Sequence, residues 1–263
     1  MRFAKYEGLG NDFVIVEAPA TVSPEEARRI CDRHLGVGAD GVLLVERRPA
    51  SMRVLNADGT VARMCGNGLR CVVWHLRRVG VLTLEEVVVE TSAGPHRCWL
   101  RGDGDVEVEM RAGTLRPEAI PLVADAPLVQ APFLHHEEGT LRVTAVGMGN
   151  PHAVTFDPVG DARFDLGPRV QADPRFPEGV NVGFARPLED GFELHVLERG
   201  AGWTQACGTG ACAAAVAAVA TGRARNGEPV AVHLPGGTLT ITVLGDATRM
   251  RGPARHVFDG DLP

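Results

Sequence analysis

The chain has 263 residues, 44% apolar and 23% charged, with a net charge of −6 and six cysteines. These totals describe an ordinary globular protein and argue against a nucleic-acid surface, since no Lys/Arg run exceeds a pair. No apolar run reaches membrane length and the opening MRFAKYEGLGNDF lacks the apolar core of an export signal, so a cytoplasmic protein with reduced thiols and no membrane contact is expected.

In chain order, residues 13–17 (FVIVE) read as a strand. Ser23-Pro-Glu-Glu26 combines an N-cap serine, a first-turn proline and a capping-box glutamate, which predicts a helix running to about Leu35, before Gly36. Residues 42–46 and 52–56 read as paired strands, and Asn56-Ala-Asp-Gly59 as a turn. A helix is expected after Met64, then strands near 85–91, 95–101 and 105–110, with Gly-Asp-Gly between the last two. The Pro-rich stretch Arg116 to Pro132 reads as a linker. Beyond it come strands near 141–146, 152–156, 181–185 and 192–198, then the stretch QACGTGACAAAVAAVATG, Gln205 to Gly222, and strands near 229–234 and 238–244.

Gln205 to Gly222 organises the rest. Glycine suits a tight turn, alanine is the best helix former, and Gly222 stands where a glycine would end the helix. Cys207 therefore sits at a helix N-terminus, where N–H groups bind anions and the local potential lowers a thiol pKa. Ala211 to Ala220 has no polar face, so the helix must be covered on all sides, as by a sheet wrapped around it.

The same plan occurs earlier. Met64 to Gly80 repeats a cysteine, Gly-x-Gly, an apolar helix and a closing glycine; Cys65 to Cys207 and Gly80 to Gly222 are both 142 residues apart. GLGNDF at Gly8 matches GMGNPH at Gly147, Gly36 matches Gly179, and Val87-x-Val with Gly94 matches Val230-x-Val with Gly237, all in the same order at nearly constant offset. A duplicated domain follows. The expected architecture is mixed α/β (α+β): two pseudo-symmetric halves, each a barrel-like sheet around an apolar helix, the second beginning at residue 116.

The cysteine spacings do not suit a metal. Cys65 and Cys71, or Cys207 and Cys212, diverge on a helix, and no C-x₂₋₄-C pair occurs, so Cys31, Cys71, Cys98 and Cys212 read as core residues. Lys5 is the only lysine, which argues against a Schiff-base lysine for pyridoxal phosphate and a Walker lysine for a nucleotide. What remains is one cysteine per half at the same place in the repeat. Two such helix ends meeting across a pseudo-twofold axis would set two thiols on opposite sides of one cleft. Inverting a carbon that bears hydrogen needs that pair: one group removes the proton from one face, the other returns a proton to the opposite face. With each sulfur ~3–3.5 Å from the reacting carbon, the two would lie roughly 6–7 Å apart around substrate.

The residues also resemble a family. GLGNDF at Gly8, DRHLGVGADG at Asp32, NADG at Asn56, MCGNGLRC at Met64, MGNPH at Met148, NVGF at Asn181, ERGAG at Glu198, QACGTGACA at Gln205 and LPGG at Leu234 together resemble the diaminopimelate epimerases along nearly the whole chain. The two Cys-Gly-x-Gly blocks alone would fit proline racemase relatives as well. The resemblance implies cofactor-independent interconversion of LL- and meso-diaminopimelate, in lysine and cell-wall precursor synthesis. It assigns Cys65 and Cys207 as the acid/base pair, with Cys65 donor and Cys207 acceptor from LL to meso. The backbones of Gly66-Asn67 and Gly208-Thr209 would hold the reacting carboxylate. Asn11, Asn56, Asn150, Asn181 and Arg199 would contact substrate, while His152 and Glu198 would orient substrate and thiols. It further implies a homodimer and a C-terminal segment, 253–263, that returns to the first half (1–115), so that the second half spans residues 116–252. Two positions depart from some relatives: Gly41 follows Asp40 where they carry Gln, and Thr209 stands where others have Ser.

Taken singly, each residue has a plainer reading. His152 could be a satisfied core histidine, Arg199 a solvated charge, and the four asparagines turn formers. Their places in the repeated motifs favour the site. Two other readings stay open: an isomerase like the proline or hydroxyproline racemases, and a non-enzymatic thiol redox or amino-acid-binding protein on a duplicated scaffold.

Overall fold

The computed structural model describes residues 1–262 except 103 and 138, so Asp103 of the Gly-Asp-Gly turn and the terminal Pro263 lie outside the described residues. The chain forms two compact units, Met1–Glu109 with Arg251–Pro263, and Met110–Met250.

Unit 1 runs β1 (Arg2–Gly8), β2 (Asn11–Glu17), α1 (Pro24–Cys31), β3 (Gly41–Arg47), β4 (Ala50–Asn56), β5 (Val61–Ala62), α2 (Gly66–Arg78), β6 (Glu86–Thr91), β7 (Gly94–Leu100) and β8 (Asp105–Arg111). Unit 2 begins with β9 (Ala131–His136) and continues β10 (Gly139–Gly147), β11 (Pro151–Thr155), α3 (Arg163–Gln171), β12 (Asn181–Pro187), β13 (Gly191–Glu198), β14 (Gly202–Trp203), α4 (Gly208–Ala220), β15 (Pro229–Leu234), β16 (Gly237–Val243) and β17 (Ala247–Pro253). The division falls inside β8 and again inside β17, and β18 (Arg255–Asp261) belongs to unit 1.

The pairing repeats as faithfully as the order. In unit 1, β1–β2 is antiparallel, β2–β3 parallel, β3–β4 and β4–β5 antiparallel, β4–β6 parallel and β6–β7 antiparallel. In unit 2, β10–β11, β11–β12, β12–β13, β13–β14, β13–β15 and β15–β16 follow the same succession of senses. β18 adds antiparallel to β1, Arg2 opposite Asp261, as β9 adds to β10.

Each unit surrounds one helix with strands. α2 packs on β1, β2, β3, β4, β7 and β18, and α4 on β10, β11, β12, β13, β15 and β16. Ala211 to Ala218 are all buried, the only arrangement open to a helix without a polar face. α2 is more mixed: Arg70 is fully buried and its Nε donates to the Pro253 carbonyl at 3.1 Å, which ties the C-terminal segment to this helix. Both helices close on a glycine of positive φ, Gly80 (+77°) and Gly222 (+72°). The shorter helices cover a second core on the other side: Ala27 and Ile30 of α1 join Phe3, Val14, Val16, Val42 and Leu55, and Leu166 and Val170 of α3 join Leu141, Val143, Val182 and Phe184.

Two expectations change. α1 carries its capping box, Ser23 Oγ to the Glu26 N–H at 3.2 Å, but stops at Cys31 rather than near Leu35. The Asp32 carboxylate takes the N–H groups of His34 and Leu35, both at 2.8 Å, an Asx-type turn that competes with another helical turn. Residues 116–132 are not a bare linker either: Ile120 and Leu122 are buried in the core of unit 2.

Candidate active site

In unit 1, β1 and β2 join through Gly8–Asn11, with Leu9 (φ +57°) and Gly10 (φ +78°) both left-handed. A left-handed leucine is rare, and strain of this kind collects at functional turns. The turn delivers Asn11 to the start of α2. Cys65 is the N-cap of α2, in extended conformation (φ −140°, ψ 115°), and its side chain makes no capping bond to the helix. Its Sγ lies 3.8 Å from Asn11 Oδ1, which also accepts from Asn67 Nδ2 at 3.2 Å. Asn11, Cys65 and Asn67 are thus brought together, with the N–H groups of Gly66, Asn67 and Gly68 in the first helical turn, where donors lack intrahelical partners. Asn56 lies at the end of β4 opposite Gly41, with its Nδ2 on Thr60 Oγ1 at 2.9 Å. At Gly41 an added Cβ would meet the Leu55 carbonyl at 2.8 Å, so the backbone here leaves no room for a side chain.

In unit 2 the constellation is denser. Cys207 caps α4 in the same extended conformation (φ −121°, ψ 104°), but is buried, and its sulfur accepts the Gly210 N–H at 3.3 Å. Thr209 Oγ1 lies 3.6 Å from the same sulfur. Asn150 Nδ2 donates to Thr209 Oγ1 at 3.4 Å, so the Thr209 proton is free for the sulfur, and Asn150 Oδ1 meets His152 Nε2 at 3.0 Å. That orientation of the amide assigns the proton to His152 Nε2. His152 pairs across the parallel β11–β12 ladder with Asn181, whose Oδ1 accepts the Arg199 N–H at 2.8 Å. The Arg199 guanidinium reaches the Glu178 carbonyl and lies along Gly179, where a Cβ would press on it at 3.0 Å. Glu198 takes a hydrogen bond from Thr204 Oγ1 at 2.6 Å.

The electrostatics depart from the simple helix-end expectation. Burial, with the Glu198 carboxylate beside it, pushes the Cys207 thiol well above its ordinary value; Thr209 and Gly210 pull the other way and lose. Burial likewise drives His152 down to about 3, helped by the charge of Arg199, so this histidine is neutral at physiological pH. Among the core cysteines burial raises Cys31 to about 11 and raises Cys71 and Cys98 further. These buried thiols are inert.

Asp40, which accepts from Asn11, and Thr204, which donates to Glu198, are the two contacts that reading the sequence missed. Asp40 lies inside a motif that drew notice for other letters, and Thr204 falls in the gap between ERGAG and QACGTGACA. A cavity of about 870 Å³ opens elsewhere in unit 1, against Glu17, Arg47, His75, Arg78 and Asp259. It is lined by none of the candidate residues, and four of its charged side chains pair with each other, Arg47 with Glu17 and Arg78 with Asp259.

The fold is that of the racemase and PhzF-type proteins. A probable proline racemase from Agrobacterium radiobacter K84 matches with a TM-score of 0.69 at 16% identity, covering 100% of this chain and 92% of that one. A Bacillus anthracis PhzF-family phenazine biosynthesis protein matches with a TM-score of 0.71 at 15% identity, over 100% and 99%. Sequence narrows the class. The diaminopimelate epimerase family profile matches residues 3–116 and again 144–257, once in each half. A diaminopimelate epimerase of Desulforudis audaxviator is 46% identical over 275 residues, 99% of this chain and 98% of that protein; one of Thioalkalivibrio sulfidiphilus is 44% identical over 279 residues, 100% and 99%. The chain belongs to the diaminopimelate epimerase family.

Proposed function

We propose that this chain inverts the α-carbon of LL-diaminopimelate to give the meso isomer, with Cys65 and Cys207 as the two acid/base groups and no cofactor in the proton transfers. The observation that carries the reading is the recurrence of a cysteine N-cap on the single strand-covered helix of each unit. Membership of the family supports the substrate, and similarity to proline racemases at 16% identity supports no more than a shared fold.

The chemistry follows from the two environments. Cys207 is a thiol at rest, and Glu198 beside it is the group that takes its proton. The thiolate so formed keeps two donors, the Gly210 N–H and the Thr209 hydroxyl, each hydrogen bond to a charged group contributing about 1.5–3 kcal/mol. It removes the α-proton: the C–H bond breaks, the proton goes to sulfur, and the electron pair moves into the carboxylate as an enediolate. N–H groups of the two helix starts, Gly66-Asn67 and Gly208-Thr209, stabilise that charge as it grows. Cys65 then gives its S–H proton to the opposite face of the carbon. Proton transfer by a positioned group contributes about 10²–10⁴-fold, so the anion clamp must supply much of the remainder.

Asn56, Asn150, Asn181 and Arg199 suit the two zwitterionic ends of the substrate, and His152, held neutral, orients by hydrogen bonding. The family resemblance supports a place in lysine and cell-wall precursor synthesis and a cytoplasmic homodimer. Sedimentation of a species with the mass of one chain would remove the dimer. Among the described residues no helix is long and apolar enough to cross a membrane. The reading is tested by incubating the reduced protein in D₂O with each diaminopimelate isomer and, separately, with proline. Deuterium must enter the α-position of diaminopimelate; exchange into proline alone would favour a proline racemase, and none into either would leave a binding protein.

A further inference from the structure

Asn11 sits between partners of opposite character. Its Nδ2 donates to Oδ2 of Asp40 at 2.7 Å, and the same oxygen accepts the Asp12 N–H at 3.1 Å. An ionised carboxylate only accepts, so the end of the amide that faces Asp40 must be the nitrogen. The other end, Oδ1, therefore faces Asn67 at 3.2 Å and the Cys65 sulfur at 3.8 Å. An amide oxygen can accept from S–H and offers nothing to S⁻.

Asp40 is itself held in place. Arg33 Nη2 bridges it to Asp12, at 2.7 Å to Asp40 Oδ1 and 2.7 Å to Asp12 Oδ1. Lys5, the lone lysine and a buried one, donates to Asp12 Oδ2 at 2.6 Å. Burial works against the Asp12 charge, yet hydrogen bonds from Arg33 and Lys5 bring its carboxyl down to about 2. The other charges on the strands and helix packed here are engaged elsewhere: Glu7 with Arg255, and Arg70 with the Pro253 carbonyl.

We propose that Asp40 is a positioning residue: by turning the Asn11 amide so that oxygen rather than nitrogen faces Cys65, it holds that cysteine as the thiol, the form that can deliver a proton. This rests on the acid/base role of Cys65 proposed above. The chain of contacts runs from Lys5 through Asp12, Arg33 and Asp40 to Asn11, so a buried cation and a surface ion pair far along the sequence set the orientation of one amide.

The test is the pH dependence of Cys65 alkylation by iodoacetamide, read on the Cys65 peptide by mass spectrometry. Cys65 is the half-exposed cysteine, and the other five are buried. Asp40→Ala frees the amide to turn its N–H to the sulfur, and the alkylation midpoint is expected to fall by about half to one pH unit, the size of one ordinary hydrogen bond. Asp40→Asn removes the charge but keeps one oxygen, which both Asn11 Nδ2 and the Asp12 N–H demand; its midpoint is expected to stay at the wild-type value. Equal shifts in the two variants would mean that charge alone acts, and would overturn the proposal. Asn11→Ala removes the facing oxygen without touching the ion pairs, so it serves where Asp40→Ala does not fold; here too the midpoint must fall, and an unchanged one overturns the proposal. Full epimerase activity in Cys65→Ser would instead defeat the catalytic role of Cys65 while leaving the alkylation readout intact.

Discussion

Cys65 and Cys207 occupy the same place in the same repeated topology, and their surroundings differ in kind. Each caps a 13-residue helix from extended backbone. An acceptor, Asn11 Oδ1, stands beside the Cys65 sulfur; around Cys207 two donors and a carboxylate converge. Cys65 is half-exposed and Cys207 is 4% exposed. Duplication alone would give two equivalent thiols. Under the mechanism proposed here, the differences at Asn11 and Asp40 on one side, and at Thr209, Thr204 and Glu198 on the other, would give each sulfur a direction in which it exchanges its proton more readily.

Removing either sulfur breaks the pair outright. Cys65→Ser and Cys207→Ser are each expected to lower kcat for epimerisation by about 10²–10⁴-fold, the worth of a positioned acid or base, because a hydroxyl does not ionise in the working range. Cys71→Ser and Cys212→Ser, one helical stretch further along, should leave turnover within a few-fold. Both sites are fully buried, so each hydroxyl is expected to lower stability by about 1–3 kcal/mol, measurable by urea unfolding. An inactive Cys71→Ser protein of native stability would show that the wrong thiol in unit 1 has been assigned.

The Glu198 side of the asymmetry is tested next. Glu198→Gln leaves the Thr204 hydrogen bond possible but takes away the proposed acceptor of the Cys207 proton, and a loss of about 10²-fold in kcat is expected. Thr204→Val frees the carboxylate to turn and should cost roughly 10-fold, about one hydrogen bond to a charged group. Neither change should move the alkylation midpoint of Cys65, since their contacts lie within unit 2. A shift there would show that Glu198 acts on both sulfurs.

His152 gives a pH signature. Its folded value is depressed to about 3 from an ordinary 6.5. Between those values the unfolded chain binds the proton and the folded one does not, so stability rises with pH across this window and falls on acidification below about 6.5. The slope approaches about 1.4 kcal/mol per pH unit for this one group. His152→Gln, which cannot titrate, should flatten that part of the urea-unfolding stability profile between pH 4 and 6, whatever its effect on turnover. An unchanged slope would mean that the acid sensitivity resides in the carboxylates.

How much of this was legible before the structure depends on range. The two helices that begin at Gly66 and Gly208 announce themselves by glycine before, alanine or apolar residues within, and glycine after, all local signals. β1 does not: Lys5 and Tyr6 interrupt its apolar pattern, and Lys5 is buried only because Asp12 and the Gly38 carbonyl receive it. β18 was hidden for another reason, since its partner is β1 at the opposite end of the chain. α3 contains Gly167 and Pro168 and lacks a side-chain cap, so its letters argue against it, and packing of Leu166 and Val170 into the unit 2 core decides. At the site, residue types could be picked out from repeated motifs, but not the contacts among them. Asn11 and Asp40 are 29 positions apart, and nothing in either motif says that one orients the other.

The smallest expected effect falls on Thr209, and it separates hydroxyl from methyl. The hydroxyl accepts from Asn150 and lies 3.6 Å from the Cys207 sulfur, joining the neutral His152–Asn150 pair to the thiol. Thr209→Val keeps the shape and the stiff χ1 of a β-branched residue but deletes that link. One hydrogen bond to a forming thiolate is lost, so kcat should drop about 10-fold and the loss should be greatest where the Cys207 thiol must ionise. Thr209→Ser keeps the link and loses only the rotamer restriction, about half a kcal/mol, which predicts a two- to three-fold decrease. If serine cost as much as valine, the methyl group and its packing would matter, and the hydroxyl relay to Cys207 would have no part in setting it apart from Cys65.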